Sequence, residues 1–348
     1  MNRRDVLLAG GALASNLVLA RGALAQAPAP APAGKLKIDA YSRHLQWLRD
    51  PAEVAKAVVE MGYDGLDITV RPYPGHVDPA RVATDLPPFV KVIRDHGLTV
   101  STITCPITDA DSPNAERILE TAAKLGIHNY WWGTFRYDQA KPVMPQLDAL
   151  KPRVEKLAAL NARYGMRAMY HNYSGPGTVS AAIWDMLHVL RDFDPRWVGF
   201  HFDIGHATIA GGNNTWALNM RAAGPYVAGL SIKDQLLERV EPGARADGEG
   251  APPPDAPAGP RGPRSDGPPY PWRVRYTPLG EGSVNLPLLA QVLKEIGFSG
   301  PVEIQAEYPN GGAESARDKL TLPREQVLGA MKKDLQVLKS AWAGTGLI

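Results

Sequence analysis

Residues 51–70 read PAEVAKAVVEMGYDGLDITV. The first half alternates Ala and Val with charged residues at helical spacing. A proline stands in the first turn and Gly62 follows the last apolar position, which predicts a helix over 51–61. Residues 65–70 are short and mostly apolar and predict a strand. The unit is thus a helix, a glycine stop and a strand. Working outward, the same rhythm begins with a strand at 36–41. It continues through a helix at 79–96, a strand at 98–104, a helix at 113–125 and a strand at 128–133. Beyond these come a helix at 146–164, a strand at 166–171, a helix at 178–192 and a strand at 197–203. A shorter helix at 215–223, a strand at 226–233, a helix at 286–296, a strand at 302–307 and a closing helix at 323–342 complete the series.

Eight strand–helix pairs predict an α/β protein, a single-domain (β/α)8 TIM barrel over residues 35–348. The alternative is an open doubly wound sheet. That fold would carry a glycine-rich phosphate loop after an early strand, and no G-x-G-x-x-G follows strand one. One segment breaks the rhythm. Residues 242–271 hold ten prolines among Gly, Arg and Asp, which predicts a flexible insertion after strand seven. On a barrel such a loop leaves from the active-site face, either as a cover or as a solvated excursion.

The chain has 348 residues, of which 44 % are hydrophobic and 21 % charged, within the globular range. Residues 1–25 open with Asn2-Arg3-Arg4-Asp5-Val6-Leu7-Leu8 and run uncharged from Val6 to Ala20, too short to span a membrane. Ala23-Leu24-Ala25 offers a small-x-small cleavage site. A twin-arginine signal peptide over 1–25, a Pro/Ala spacer over 26–34 and a periplasmic location are expected, with no stable membrane anchor after cleavage. Without residues 1–25 the chain carries 35 basic and 35 acidic residues, so no excess of positive charge invites nucleic acid. The single cysteine, Cys105, excludes an intramolecular disulfide and a Cys-rich zinc site.

A barrel gathers its chemistry at the C-terminal ends of the strands. There the sequence offers Arg43, His44 and Gln46 after strand one, Arg71 and His76 after strand two, and Trp132 and Arg136 around strand four. These are the candidate substrate-binding residues. Trp47, Tyr170 and Tyr173 join Trp132 as aromatic groups suited to the apolar faces of sugar rings. Strand five ends in His171, strand six in Asp203-Ile204-Gly205-His206, strand seven in Lys233-Asp234 and strand eight in Gln305 and Glu307. His201, two residues before Asp203, shares its strand face. Glu307 is the candidate general base, Lys233 the stabiliser of a developing oxyanion, and His171 a further acid/base group or ligand. Asp203 and His206 are candidate metal ligands. The competing reading has Asp203 capping the following turn and His206 bonding to it. Glu303 lies four residues deeper than Glu307 and is expected to pair with an interior cation.

Several segments resemble the xylose-isomerase-like barrels, the sugar phosphate isomerase/epimerase family. These are MGYDGLD at 61–67, VGFHFDIGH at 198–206, SIKD at 231–234, PLGEG at 278–282 and the stretch from Gly297 to Glu307. The resemblance implies a barrel acting on a carbohydrate. It also implies one divalent metal (Mn, Zn, Fe, Co or Mg) held by Glu, Asp, His and Glu from strands five to eight. Only Asp203 keeps its type. His171, Ser231 and Gln305 stand at the other three positions. The main expectation is an exported isomerase or epimerase that removes a proton next to a sugar carbonyl. The alternatives are a lyase or hydrolase that cleaves a keto-glycoside, with β-elimination as one route, and a sugar-binding barrel without catalysis. The related abasic-site nucleases, which use several zinc ions, are disfavoured by the balanced charge.

Overall fold

Eight parallel strands close into a barrel in the order β1-β10-β7-β6-β5-β4-β3-β2. They are β1 (Ile38–Tyr41), β2 (Gly65–Thr69), β3 (Thr102–Thr104), β4 (Asn129–Trp132), β5 (Arg167–His171), β6 (Val198–Asp203), β7 (Val227–Ile232) and β10 (Val302–Ile304). Two more, β8 (Asp234–Arg239) and β9 (Trp272–Thr277), pair antiparallel outside the barrel. The computed structural model describes residues 35–175, 177–212, 214–239 and 272–348. The expected leader at 1–25, spacer at 26–34 and insertion at 242–271 lie outside the described residues.

The helices surround the barrel: α1 (Pro51–Met61), α2 (Val82–Asp95), α3 (Ala115–Lys124), α4 (Val143–Tyr164), α5 (Trp184–Leu190), α6 (Ile204–Gly211), α7 (Thr215–Ala223), α8 (Leu286–Glu295) and α9 (Arg324–Ala341). The segment that set the fold behaves as its residues require. Asp50 caps α1, its carboxylate accepting the Ala52 N–H at 2.9 Å, and Gly62 ends the helix at φ 84°. Among the described residues no helix is long and apolar enough to cross a membrane.

Alternate residues of each strand face opposite ways. The outward set packs under the helices as the core: Ile38, Ala40, Leu66, Ile68, Tyr130, Trp132, Ala168, Tyr170, Phe200, Phe202, Leu230 and Ile232 are all fully buried. The inward set is polar. Asp39, Asp67, His171, His201, Asp203, Ser231, Glu303 and Gln305 are buried inside the barrel, where such folds more often hold aliphatic side chains.

Three elements differ from expectation. The helix expected over 178–192 is shortened to α5, because Ser180 turns back at φ 76° and donates its N–H to the Asp185 carboxylate at 3.0 Å. An additional helix, α6, begins directly at the end of β6. Finally, residues 234–239 and 272–277, which the sequence left unassigned, form the antiparallel β8–β9 ribbon.

Candidate functional site

The end of β6 organises the site. Asp203 is the N-cap of α6, its Oδ1 accepting the His206 N–H at 2.8 Å. Its backbone is pinned twice by Asn172, whose amide oxygen accepts the Asp203 N–H at 2.8 Å and whose NH2 donates to the Asp203 carbonyl at 3.0 Å. The capping and functional readings of this segment therefore hold together. One carboxylate oxygen starts the helix, and the other turns into the barrel to meet Ser231 Oγ and Lys233 Nζ, each at 3.2 Å.

Lys233 follows β7 and is buried. Its Nζ lies 2.7 Å from Glu307 Oε2, 2.8 Å from His206 Nε2 and 3.2 Å from Asp203 Oδ2. Three acceptors match the three N–H bonds of an ammonium group. An ammonium cannot accept, so His206 Nε2 receives the bond. A neutral His206 then carries its proton on Nδ1, facing Ser174 Oγ at 3.0 Å. Burial and the neighbouring Lys233 both hold the His206 pKa well below the ordinary value, in keeping with that tautomer. The stem of Lys233 passes over Gly205, where a Cβ would come within 2.7 Å of Lys233 Cγ.

Glu307 completes the arrangement. Burial alone would raise its pKa, but Lys233 and then Arg43 outweigh it and bring it down to about 2. Arg43 Nη1 stands 3.5 Å from Glu307 Oε1 and also donates to the Glu314 carbonyl at 2.8 Å. Asp203 moves the other way, raised to about 6 by burial despite Lys233. With two carboxylates facing one ammonium and one guanidinium, the cluster is close to electroneutral.

His171, at the end of β5, lies with Nε2 3.5 Å from Asp203 Oδ2 and Nδ1 3.3 Å from His201 Nδ1. Burial, then His201 and Lys233, push the His171 pKa well below the ordinary value. Below it, His201 Nε2 is 3.7 Å from Glu303 Oε1. The interior cation expected for Glu303 is replaced by this imidazole, which burial pushes down to about 3, and by the Gln305 amide at 2.6 Å. Burial and Asp67 raise Glu303, so it is held in its neutral form.

The rim is amphipathic. Trp131, Tyr173 and Tyr276 are half-buried around the polar cluster. Trp131 packs 5.3 Å from the His171 ring, the Arg71 guanidinium lies 4.5 Å from the centroid of the Trp131 ring, and Tyr173 lies 4.8 Å from His171. Lys233 Nζ sits 5.2 Å from the Tyr276 ring, which β9 contributes.

Not every expected residue meets this cluster. Trp132 points outward to the helices, stacks edge-on against Tyr170 and Phe135, and donates its indole N–H to the Thr108 carbonyl. The inward aromatic of β4 is its neighbour Trp131, and Tyr170 faces outward for the same reason of strand parity. Gln46 and His76 are tied into the wall, both bonding Thr69 Oγ1, and the other ring nitrogen of His76 meets the Leu48 carbonyl. His44 is buried with Nδ1 on the Ala313 carbonyl at 3.2 Å, and its Nε2 has no hydrogen-bond partner among the described residues. Arg136 is exposed on the loop after β4. Trp131 and Tyr276 were not singled out in the sequence. The alternation in WRVRYT at 272–277 is the signal that points to a strand presenting Tyr276.

His171, Asp203 and His206 each offer a donor atom within 4.8 Å of the others, the only such His/Asp/Glu/Cys group among the described residues. Two imidazoles and a carboxylate suit Zn, Fe, Mn or Co. The fit fails on one point. Asp203 Oδ2 and the His206 Nε2 lone pair already accept from Lys233, so a divalent ion using them would lie against an ammonium.

A family model described as a xylose isomerase-like TIM barrel matches residues 55–339. The chain belongs to that family. Solved structures similar to this member include D-psicose 3-epimerase from Clostridium cellulolyticum H10, at 14 % identity and TM-score 0.58, covering 88 % of this chain and 99 % of that one. The 3-keto-D-glucoside 4-epimerase of E. coli is 14 % identical with TM-score 0.56, covering 87 % and 100 %. The IOLI protein, solved with a zinc atom, is 14 % identical with TM-score 0.59, covering 88 % and 100 %. At these identities the likeness is one of fold. No curated protein sequence matches the chain.

Proposed function

We propose that this xylose isomerase-like barrel is a carbohydrate isomerase or epimerase that removes a proton from the carbon next to a sugar carbonyl. The observation that carries the reading is the contact between Glu307 and Lys233 at the barrel mouth, an ionised carboxylate and a cationic donor 2.7 Å apart. The epimerases of similar fold and the aromatic rim support a sugar as substrate. The twin-arginine pattern in residues 1–25 supports an exported, periplasmic enzyme.

In the resting pair Glu307 is a poor base, because Lys233 and Arg43 stabilise its charge. A substrate carbonyl oxygen that takes an N–H of Lys233 away from Glu307 lowers that stabilisation and raises the basicity of the carboxylate. Glu307 then accepts the proton from the α-carbon. The C–H electron pair becomes the C=C of an enolate, and the negative oxygen is held by Lys233. Return of the proton to the former carbonyl carbon, with the hydroxyl proton of the neighbouring carbon passing to the former carbonyl oxygen, gives an aldose–ketose isomer. Return to the α-carbon from the opposite face gives an epimer.

One observation favours a second reading. Glu307 retains 19 % side-chain exposure, whereas Asp203 is wholly buried and bonded on both oxygens, so a single carboxylate reaches substrate. A single base suits β-elimination from a keto-glycoside, in which the same enolate expels the substituent on the β-carbon.

The test is exchange from heavy water into a panel of aldoses, ketoses and 3-keto-glycosides, followed by NMR and mass spectrometry. Deuterium at the carbon next to the carbonyl is expected, reduced about 10²–10⁴-fold by Glu307→Gln. An isomer of unchanged carbon skeleton identifies isomerase chemistry, and a released aglycone identifies the lyase. Tight binding without exchange across the panel would replace the enzymatic reading with a sugar-binding one.

A further inference from the structure

Donor atoms that would suit a metal converge at the ends of β5 and β6. The occupant of that convergence is a side chain of the protein itself. Lys233 Nζ makes 2.8 Å and 3.2 Å contacts to two of the three candidate donors, His206 and Asp203, and a 2.7 Å contact to Glu307 beside them. We propose that the Lys233 ammonium is the resident cation of this site, standing where a divalent metal would bind and making the protein independent of one.

Three independent observations carry this. The first is valence: three acceptors face the three N–H bonds of one ammonium. The second is charge. Asp203 and Glu307 are offset by Lys233 and Arg43, and adding a divalent ion would leave the cluster with an excess of two positive charges in a buried setting. The third is the way the chain makes room for the lysine. Gly205, the second residue of α6, has no Cβ where one would collide with the Lys233 stem at 2.7 Å. The position two residues before Lys233 on the same strand face is Ser231, which donates to Asp203 Oδ2 at 3.2 Å and carries no strong metal donor. Gln305 likewise turns its amide toward Glu303.

The inference rests on the placement of the reaction at this mouth, but its readout is metal binding, so it can fail while proton abstraction by Glu307 stands. The protein, purified without chelator or histidine tag, is titrated with Co²⁺, Zn²⁺ and Mn²⁺. Calorimetry and the Co²⁺ visible spectrum report binding. The wild type is expected to bind none of them stoichiometrically at micromolar concentrations. Lys233→Ala frees the lone pair of His206 and a carboxylate oxygen of Asp203. It is expected to gain about one equivalent of Co²⁺ with affinity raised more than about a hundredfold. The gain should vanish in Lys233→Ala/His206→Ala. Heavy-water exchange by the wild type is expected to survive prolonged chelation. One tightly bound metal per wild-type chain, or a folded Lys233→Ala that gains nothing, would overturn the proposal. Should Lys233→Ala not fold, the wild-type titration decides alone.

Discussion

Gly205 illustrates how one missing side chain sets the chemistry of its neighbour. A methyl group there would meet Lys233 Cγ at 2.7 Å and its carbonyl at 3.1 Å, so the lysine stem would have to leave its groove. The φ of Gly205 is an ordinary helical one, and the constraint is space alone. Gly205→Ala is expected to fold, because Ala is the better helix former by about 1 kcal/mol. It should nevertheless lower kcat on an identified substrate by about 10²-fold or more, the scale for misplacing an oxyanion donor. Circular dichroism and steady-state kinetics separate the two effects. The polar residues of this site were legible in the sequence because barrel geometry converts strand ends into a map, and Asp203, His206, Lys233 and Glu307 fall together as expected. The aromatic wall was less legible. Adjacent tryptophans at 131 and 132 differ only in which face of β4 they occupy, and a strand of four residues gives composition no means of choosing the register. Packing of Trp132 against Tyr170 and Phe135 makes the choice.

At the scale of elements, Asp234 explains why Lys233-Asp234 and the later Pro278–Gly282 segment occur in one chain. Its carboxylate accepts four backbone N–H groups: Gly280 and Gly282 on Oδ2, Val284 and Gln235 on Oδ1, all between 2.9 and 3.0 Å. The acid thus clasps the loop leading to α8 against the start of the β8–β9 ribbon. Loss of the carboxylate strands several buried donors. Asp234→Ala is therefore expected to cost about 3 kcal/mol or more, measured by urea unfolding. Asp234→Asn, which keeps one acceptor, should cost less. The ribbon itself went unread because the proline-rich residues between its strands dominate the local composition. β8 and β9 are joined across more than thirty residues, and no short turn signal marks them as a hairpin. Helices α1 and α4 were well read, since Gly62 and Gly165 stand in the left-handed conformation directly after an apolar repeat. Helix α5 was overextended because the turn that ties the Ser180 N–H to the Asp185 carboxylate is invisible to periodicity.

At the scale of the whole molecule, the polar interior of the barrel makes stability a function of pH. Asp39, Asp67 and Glu303 lie buried on neighbouring strands, with Asp39 in register with Glu303 and Asp67 with Tyr41. Ser101 donates to Asp39 Oδ2 at 2.7 Å, while Asp39 Oδ1 has no hydrogen-bond partner among the described residues. Burial is the chief cause that raises Asp39 from 3.8 to about 7, with Asp67 adding to it. A folded-state pKa above the unfolded one means that the folded chain binds the proton more tightly. The stability this contributes is complete below about pH 4 and is lost as pH rises toward 7. The buried histidines act in the opposite sense. His44 and His76 are both lowered to about 4, mainly by burial, so acid protonates the unfolded chain first and stability falls as pH drops below 6.5. The two tendencies overlap between pH 4 and 7, and the maximum of stability is expected within that interval. Asp39→Asn keeps a carbonyl oxygen for Ser101 and removes the ionisation. Measured by chemical unfolding, the variant should gain on the wild type steadily between about pH 4 and pH 7 and level off above. A gap between the two proteins that stays constant with pH would show that Asp39 is already ionised in the folded barrel. The polar interior would then tolerate a buried charge at this rung, and the alkaline loss would have to come from Asp67 and Glu303.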